Sequence, residues 1–206
     1  MATRTTITTN QQKISSAHYD PMRAEASAAV DVDPRYVMRG IDFSLPLKER
    51  VLEFQRNFLD DPHFGGFDAY ALKDNVRCVS IAPGRTEWEL EVLPHLCNKG
   101  GKLHGGAAAT ILDNLTTTAL IAAARPGFMD LGHVSRNINM TYLRPVVEGA
   151  TVRVVCELVA AGRTLANMKG EMLVDGKVCV TCLHDKVFLR PPPPPTSSEE
   201  GPSSKL

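Results

Sequence analysis

The chain has 206 residues, 43% of them hydrophobic and 22% charged, with 23 Lys and Arg balancing 23 Asp and Glu. That composition fits one globular domain with polar tails, and the absence of net charge argues against a broad nucleic-acid surface while leaving room for a local basic cluster. No window approaches the ~18 consecutive apolar residues of a membrane-spanning helix.

Residues 1–45 are polar and irregular and read as an extension with little fixed structure. Met1-Ala2-Thr3-Arg4-Thr5-Thr6 lacks the apolar stretch of a secretory signal, and the Ser/Thr-rich run is acid-poor up to Asp20, a composition it shares with mitochondrial presequences. The folded domain is expected over residues 46–190. Leu47, Val51, Leu52, Phe54, Phe58 and Leu59 recur at helical spacing in a segment that stops at Pro62, which predicts a first amphipathic helix. From Asn75 the period changes: Val76 to Ile81, the turn Pro83-Gly84 and Thr86 to Leu93 predict a hairpin. A glycine-rich loop, Asn98-Lys99-Gly100-Gly101-Lys102-Leu103-His104-Gly105-Gly106, then enters a run from Gly106 to Ala124 that is apolar on nearly all sides and predicts a buried helix. Strands follow at His133 to Leu143, Thr151 to Val159, Thr164 to Leu173 and Lys177 to Leu189. The last three are separated by Ala161-Gly162-Arg163 and by Asp175-Gly176, a type I′ hairpin signal. Two strands, one long buried helix and a run of antiparallel strands predict an α+β fold, a sheet wrapped on a helix. The edge of such a sheet needs covering, which favours self-association.

Asp113 is the anomaly of the apolar helix. It shares a face with Thr110, Thr116 and Thr117 by the i, i+3, i+4 rule, and a carboxylate buried there costs several kcal/mol, on the order of the penalty for a desolvated ion, unless it is partnered. Either it is chemical, or it is a structural acid that caps a kink or bonds Asn114 and the threonines. The glycines before it allow close backbone approach, and the first amides of the helix, which have no intrahelical acceptor, suit a developing oxyanion.

The five cysteines, Cys78, Cys97, Cys156, Cys179 and Cys182, are odd in number. Cys179 and Cys182 would point to opposite faces of a strand, so the expectation is buried thiols in a reducing compartment and no metal site. Residues 191–206 form a tail: the five prolines Pro191 to Pro195 make a stiff spacer, and Ser204-Lys205-Leu206 reads as a peroxisomal address for an import receptor.

The run N-x-x-G-x-x-H-G-G, with Asp113 seven residues past Gly106 and Ser135 to Pro145 downstream, resembles the hotdog-fold acyl-CoA thioesterases, in particular the acyl-CoA thioesterase 13 and phenylacetyl-CoA thioesterase group. The resemblance spans about residues 54–189. It implies a hotdog fold, assembly into dimers with a continuous sheet or into tetramers, sites formed between subunits, and hydrolysis of an acyl-CoA with no cofactor beyond the coenzyme A of the substrate. It further implies that the Gly105 N–H is the oxyanion donor and that Asp113 is the base for water or a nucleophile forming an anhydride.

Asn98 matches a residue that places the thioester or the water, and is otherwise a turn residue. His104 matches one that orients the loop, and is otherwise a helix cap. Ser135 matches one that holds water near Asp113, and is otherwise a strand-start hydroxyl. Tyr142, Arg144, Gly162, Arg163, Thr164 and Lys186 match coenzyme A-binding positions, and the basic ones are otherwise solvated surface charges. The competing expectations are a biosynthetic hotdog hydrolase acting on a carrier-bound acyl group, and a non-catalytic acyl-CoA binder.

Overall fold

The computed structural model describes residues 41–60, 66–130 and 132–188. Most of the predicted extension (residues 1–40), Pro62, Leu189, the proline run and Ser204-Lys205-Leu206 lie outside them. Helix α1 spans Leu47–Leu59, a short α2 spans Phe67–Leu72, and the hairpin strands β1 and β2 span Val76–Ala82 and Arg85–Glu91. A 3₁₀ turn at Pro94–Leu96 precedes the long helix α3, Gly105–Ala123, and four strands complete the chain: β3 His133–Tyr142, β4 Thr151–Ala161, β5 Leu165–Val174 and β6 Lys177–Phe188.

All six strands form one antiparallel sheet in the order β1-β2-β4-β5-β6-β3, so β3 is an edge. The turn residues behave as their chemistry requires: Asp175 and Gly176 both take positive φ (49° and 73°) between the paired Val174 and Lys177, the signature of the type I′ turn. Helix α3 lies on the inner face. Ile111, Leu112, Leu115, Ala119 and Leu120 pack into one buried core with Trp88, Leu90, Val152, Val154, Met168 and Met172. At Gly170 on β5 an added Cβ would stand 2.8 Å from Leu112 Cδ2 and 2.9 Å from Thr116 Cγ2; only glycine lets the helix sit this close to the sheet. Further along α3, the Thr118 hydroxyl meets Thr86 Oγ1 at 2.8 Å and accepts the Trp88 indole N–H at 3.0 Å, so polar atoms buried at this contact are satisfied.

The structure departs from the sequence expectations at three places. Helix α2 was not foreseen. Cys179 and Cys182 are both buried, at 4% and 1% exposure, rather than on opposite faces. The reason is a bulge: Leu173 pairs with Val178 and Met172 with Val180, so Cys179 is the extra residue and the parity of β6 shifts by one. All five cysteines are free, but Cys78 and Cys97 are only partly buried. Third, α3 is not closed on every side, because Asp113 keeps 45% of its side chain exposed. Among the described residues no helix is long and apolar enough to cross a membrane.

Candidate active site

Two turns into α3, the Asp113 carboxylate leaves the helix toward β3 and β6. Its Oδ1 accepts the Ser135 hydroxyl at 2.6 Å, lies 3.1 Å from His184 Nε2 and makes an ion pair with Lys186 Nζ at 3.9 Å. Ser135 and Lys186 are directly paired across β3 and β6, and His184 and Lys186 share the inward parity of β6, so strand geometry delivers all three to one carboxylate. Ser135 Oγ in turn meets His184 Nε2 at 3.0 Å and accepts from Lys186 Nζ at 3.2 Å.

His184 is fully buried, and its Nδ1 meets Thr116 Oγ1 at 2.8 Å. Burial, seconded by the Lys186 cation, pulls the affinity of this ring for a proton down to about 4, so it is neutral near pH 7. The Asp113 carboxylate can only accept, so the ring proton stands on Nε2, facing Asp113 and Ser135, while Nδ1 adjoins the Thr116 hydroxyl, which also donates to the Leu112 carbonyl at 2.7 Å. Oδ1 is thereby surrounded by donors, whereas Oδ2 accepts no bond among the described residues. Ser135 uses its capacity wholly inside this cluster.

Nearby, the Asp68 carboxyl on α2 is held above the ordinary carboxylate range by burial and by the negative charge of Asp113. Gln55 on α1 donates to Asn114 Oδ1 at 2.7 Å and ties that helix to the residue beside Asp113. The threonines on its face do not bond the Asp113 carboxylate: Thr110 donates to the Gly106 carbonyl and Thr117 to the backbone carbonyl of Asp113.

At the other end of the site elements stands the glycine loop. His104 is the N-cap of α3, its Nδ1 accepting the Gly106 N–H at 3.0 Å, which leaves the Gly105 N–H with no acceptor among the described residues. Tyr142, matched to coenzyme A binding, is found here: its hydroxyl donates to the Gly105 carbonyl at 2.9 Å. Asn98 stands at the start of the loop, with its Oδ1 accepting the Gly100 N–H at 2.8 Å.

The structure does not bring the expected coenzyme A contacts together. Arg144 is exposed and donates to the Val178 carbonyl at 2.5 Å, at the start of β6. The Gly162-Arg163-Thr164 turn lies at the far end of the same strand, with the Phe188 N–H donating to the Thr164 carbonyl at 3.0 Å; ten strand residues, roughly 33 Å, separate them. Lys186, expected at a phosphate-binding surface, is buried at 4% exposure, because inward parity carries its ammonium into the Asp113 cluster. His184 was missed altogether. The available signal was a pair of polar residues, His184 and Lys186, at alternate positions continuing the inward row from Cys182.

A single antiparallel sheet wrapped around one long buried helix, with a half-open carboxylate held by Ser, His and Lys, is the architecture of a hotdog-fold protein. The Thioesterase superfamily profile matches residues 100–180. Human acyl-coenzyme A thioesterase 13 is 37% identical over 93 residues, covering 44% of this chain and 62% of the human protein, under two thirds of its length. The mouse protein of that name is 36% identical over 103 residues, 49% of this chain and 68% of the relative. The crystal structure of zebra fish thioesterase superfamily member 2 superposes with a TM-score of 0.61 at 31% identity, covering 70% of this chain and 99% of that one. The chain belongs to the thioesterase superfamily.

Proposed function

We propose that this protein hydrolyses acyl-CoA thioesters at sites built from two copies of the chain. The observation that carries the chemistry is the asymmetric Asp113 carboxylate, with Oδ1 occupied by Ser135 and His184 and Oδ2 free. Oδ2 takes a proton from water as the water oxygen attacks the thioester carbon. The negative charge that develops on the carbonyl oxygen is received by the Gly105 N–H at the positive end of α3. Collapse of that tetrahedral species breaks the C–S bond, and the proton held by Asp113 goes to the leaving thiolate. The names of the relatives support acyl-CoA as the substrate class.

The need for two copies follows from distance. Gly105 and Asp113 lie eight residues apart on one helix, about 12 Å of rise, too far to act on one carbonyl. Edge strand β3 carries Ser135 near one end and Tyr142, which bonds Gly105, at the other. Antiparallel pairing of two β3 edges lays the Tyr142 end of one copy against the Ser135 end of the other. Each site then takes Gly105, Tyr142 and Arg144 from one chain and Asp113, Ser135, His184 and the Gly162-Arg163-Thr164 turn from its partner, so the two separated basic positions flank one coenzyme A. We also propose peroxisomal import through Ser204-Lys205-Leu206, on the tripeptide and its proline spacer alone; a tagged chain lacking the tripeptide is expected in the cytosol, and unchanged import would refute it.

The deciding experiment follows thiol release by purified protein from acyl-CoA thioesters running from acetyl to palmitoyl, with phenylacetyl and benzoyl. Turnover is expected, and Asp113→Asn is expected to lower it by roughly two to four orders of magnitude while staying folded. Full activity in that variant would sink the role of Asp113, and binding without release by the wild type would make the protein a binder.

A further inference from the structure

Lys186 is charged, long and almost fully buried, at 4% exposure, where a lysine is rarely found without a reason. Its ammonium stands 3.2 Å from Ser135 Oγ and 3.9 Å from Asp113 Oδ1. Groups from every neighbouring element answer to it: Asp113 on α3, Asp68 on α2, Cys182 and His184 on β6, and His133 on β3. The two carboxyl groups favour its charge, and that charge in turn disfavours a proton on either imidazole.

The hydrogen bonds around Ser135 give this cation a task. A hydroxyl has one proton and two acceptor lone pairs. Lys186 Nζ and His184 Nε2–H supply two donors to Ser135 Oγ, so the Ser135 proton is left for Asp113 Oδ1, at 2.6 Å. That bond engages Oδ1 and leaves Oδ2 without a partner among the described residues. We infer that Lys186 is a positioning residue of the hydrolase site, fixing Asp113 through the Ser135 hydroxyl, and not a contact of the coenzyme A phosphates. The inference rests on the hydrolase reading above.

The test is Lys186→Met in the full chain, assayed on an acyl-CoA and on the same acyl group carried by N-acetylcysteamine, a thiol without phosphates. The expected result is a fall in kcat of about 10- to 100-fold on both thioesters, as for a catalytic group slightly misplaced, with KM for the acyl-CoA within about twofold of wild type. In a Ser135→Ala background the same substitution should cost little more, because the two residues act as one unit. A raised KM confined to the acyl-CoA, with kcat retained, would overturn the inference in favour of phosphate binding, and so would additive losses in the double variant. The wild type supplies a readout independent of the variant's folding. Burial lowers the proton affinity of Lys186 from the ordinary 10.5, so kcat should fall on the alkaline side below that pH; a kcat constant to pH 10.5 would also overturn it. Wild-type protein inert on every thioester would instead remove the hydrolase reading itself.

Discussion

His133 has two ring nitrogens that find no hydrogen-bond partner among the described residues, although the residue is only 7% exposed. Burial, and after it the Lys186 cation, pulls its proton affinity from the ordinary 6.5 to about 3, and His184 is similarly held neutral down to about 4. The unfolded chain takes up a proton on each ring near 6.5, so between that value and about 3 it binds more protons than the folded chain. The stability these rings allow is therefore complete above pH 6.5 and drains away as the pH falls. His133→Leu is expected to raise stability by about 1–3 kcal/mol near neutral pH, the scale of an unsatisfied buried polar group, and to flatten the acid decline. Thermal midpoints of both proteins from pH 7 to pH 4 check this; parallel curves would refute it.

Residue by residue, the sequence exposed the chemical part of the site unevenly. Asp113 stood out because a carboxylate contradicts an apolar helix, and Gly105 because glycines clustered at a helix start. Strand parity hid His184 and put Lys186 on a phosphate-binding surface: on an alternating segment an inward polar residue announces itself only once the register is known, and the bulge at Cys179 resets that register partway along β6.

Among the elements, the most constrained contact is that of α3 on β5. Gly170→Ala would place a methyl 2.8 Å from Leu112 and 2.9 Å from Thr116, and Thr116 is the residue that meets His184 Nδ1. The expected cost is about 1–3 kcal/mol from overpacking, with a loss of turnover larger than any loss of substrate affinity. Denaturant unfolding and steady-state kinetics check the two halves separately, and unchanged stability would show that the helix is free to shift. Most elements were legible before the structure, since α3 has the length and apolarity of a buried helix, and Pro83-Gly84 and Asp175-Gly176 carry unambiguous turn chemistry. The exception, α2, has only six residues, too few for a helical period to declare itself, yet it brings Asp68 to the site.

For the whole molecule, the decisive question is whether one chain suffices. Gly105→Pro removes the proposed donor at a position whose backbone tolerates proline, since Gly105 is the first residue of α3, although the added Cβ would stand 3.2 Å from the Tyr142 hydroxyl oxygen and 3.3 Å from its Cζ, so that ring must give way; alone it should lose at least about 10²–10³ in kcat. If the site spans two chains, unfolding and refolding this variant together with Asp113→Asn should restore activity, because a mixed pair holds one intact site, giving about a quarter of the wild-type rate at random pairing. No restoration, with mixed pairs demonstrated by mass, would place both residues in one chain's site.

Trp88 is the single tryptophan of the sequence, 1% exposed and bonded through its indole to Thr118 of α3. The chain thus carries an intrinsic optical probe at the seam between its central helix and its sheet. Emission from a dry, hydrogen-bonded indole sits to the blue of emission in water, so the colour of the protein's own fluorescence reports whether α3 is seated. Helix seating and turnover can be followed in the same cuvette without attaching a label.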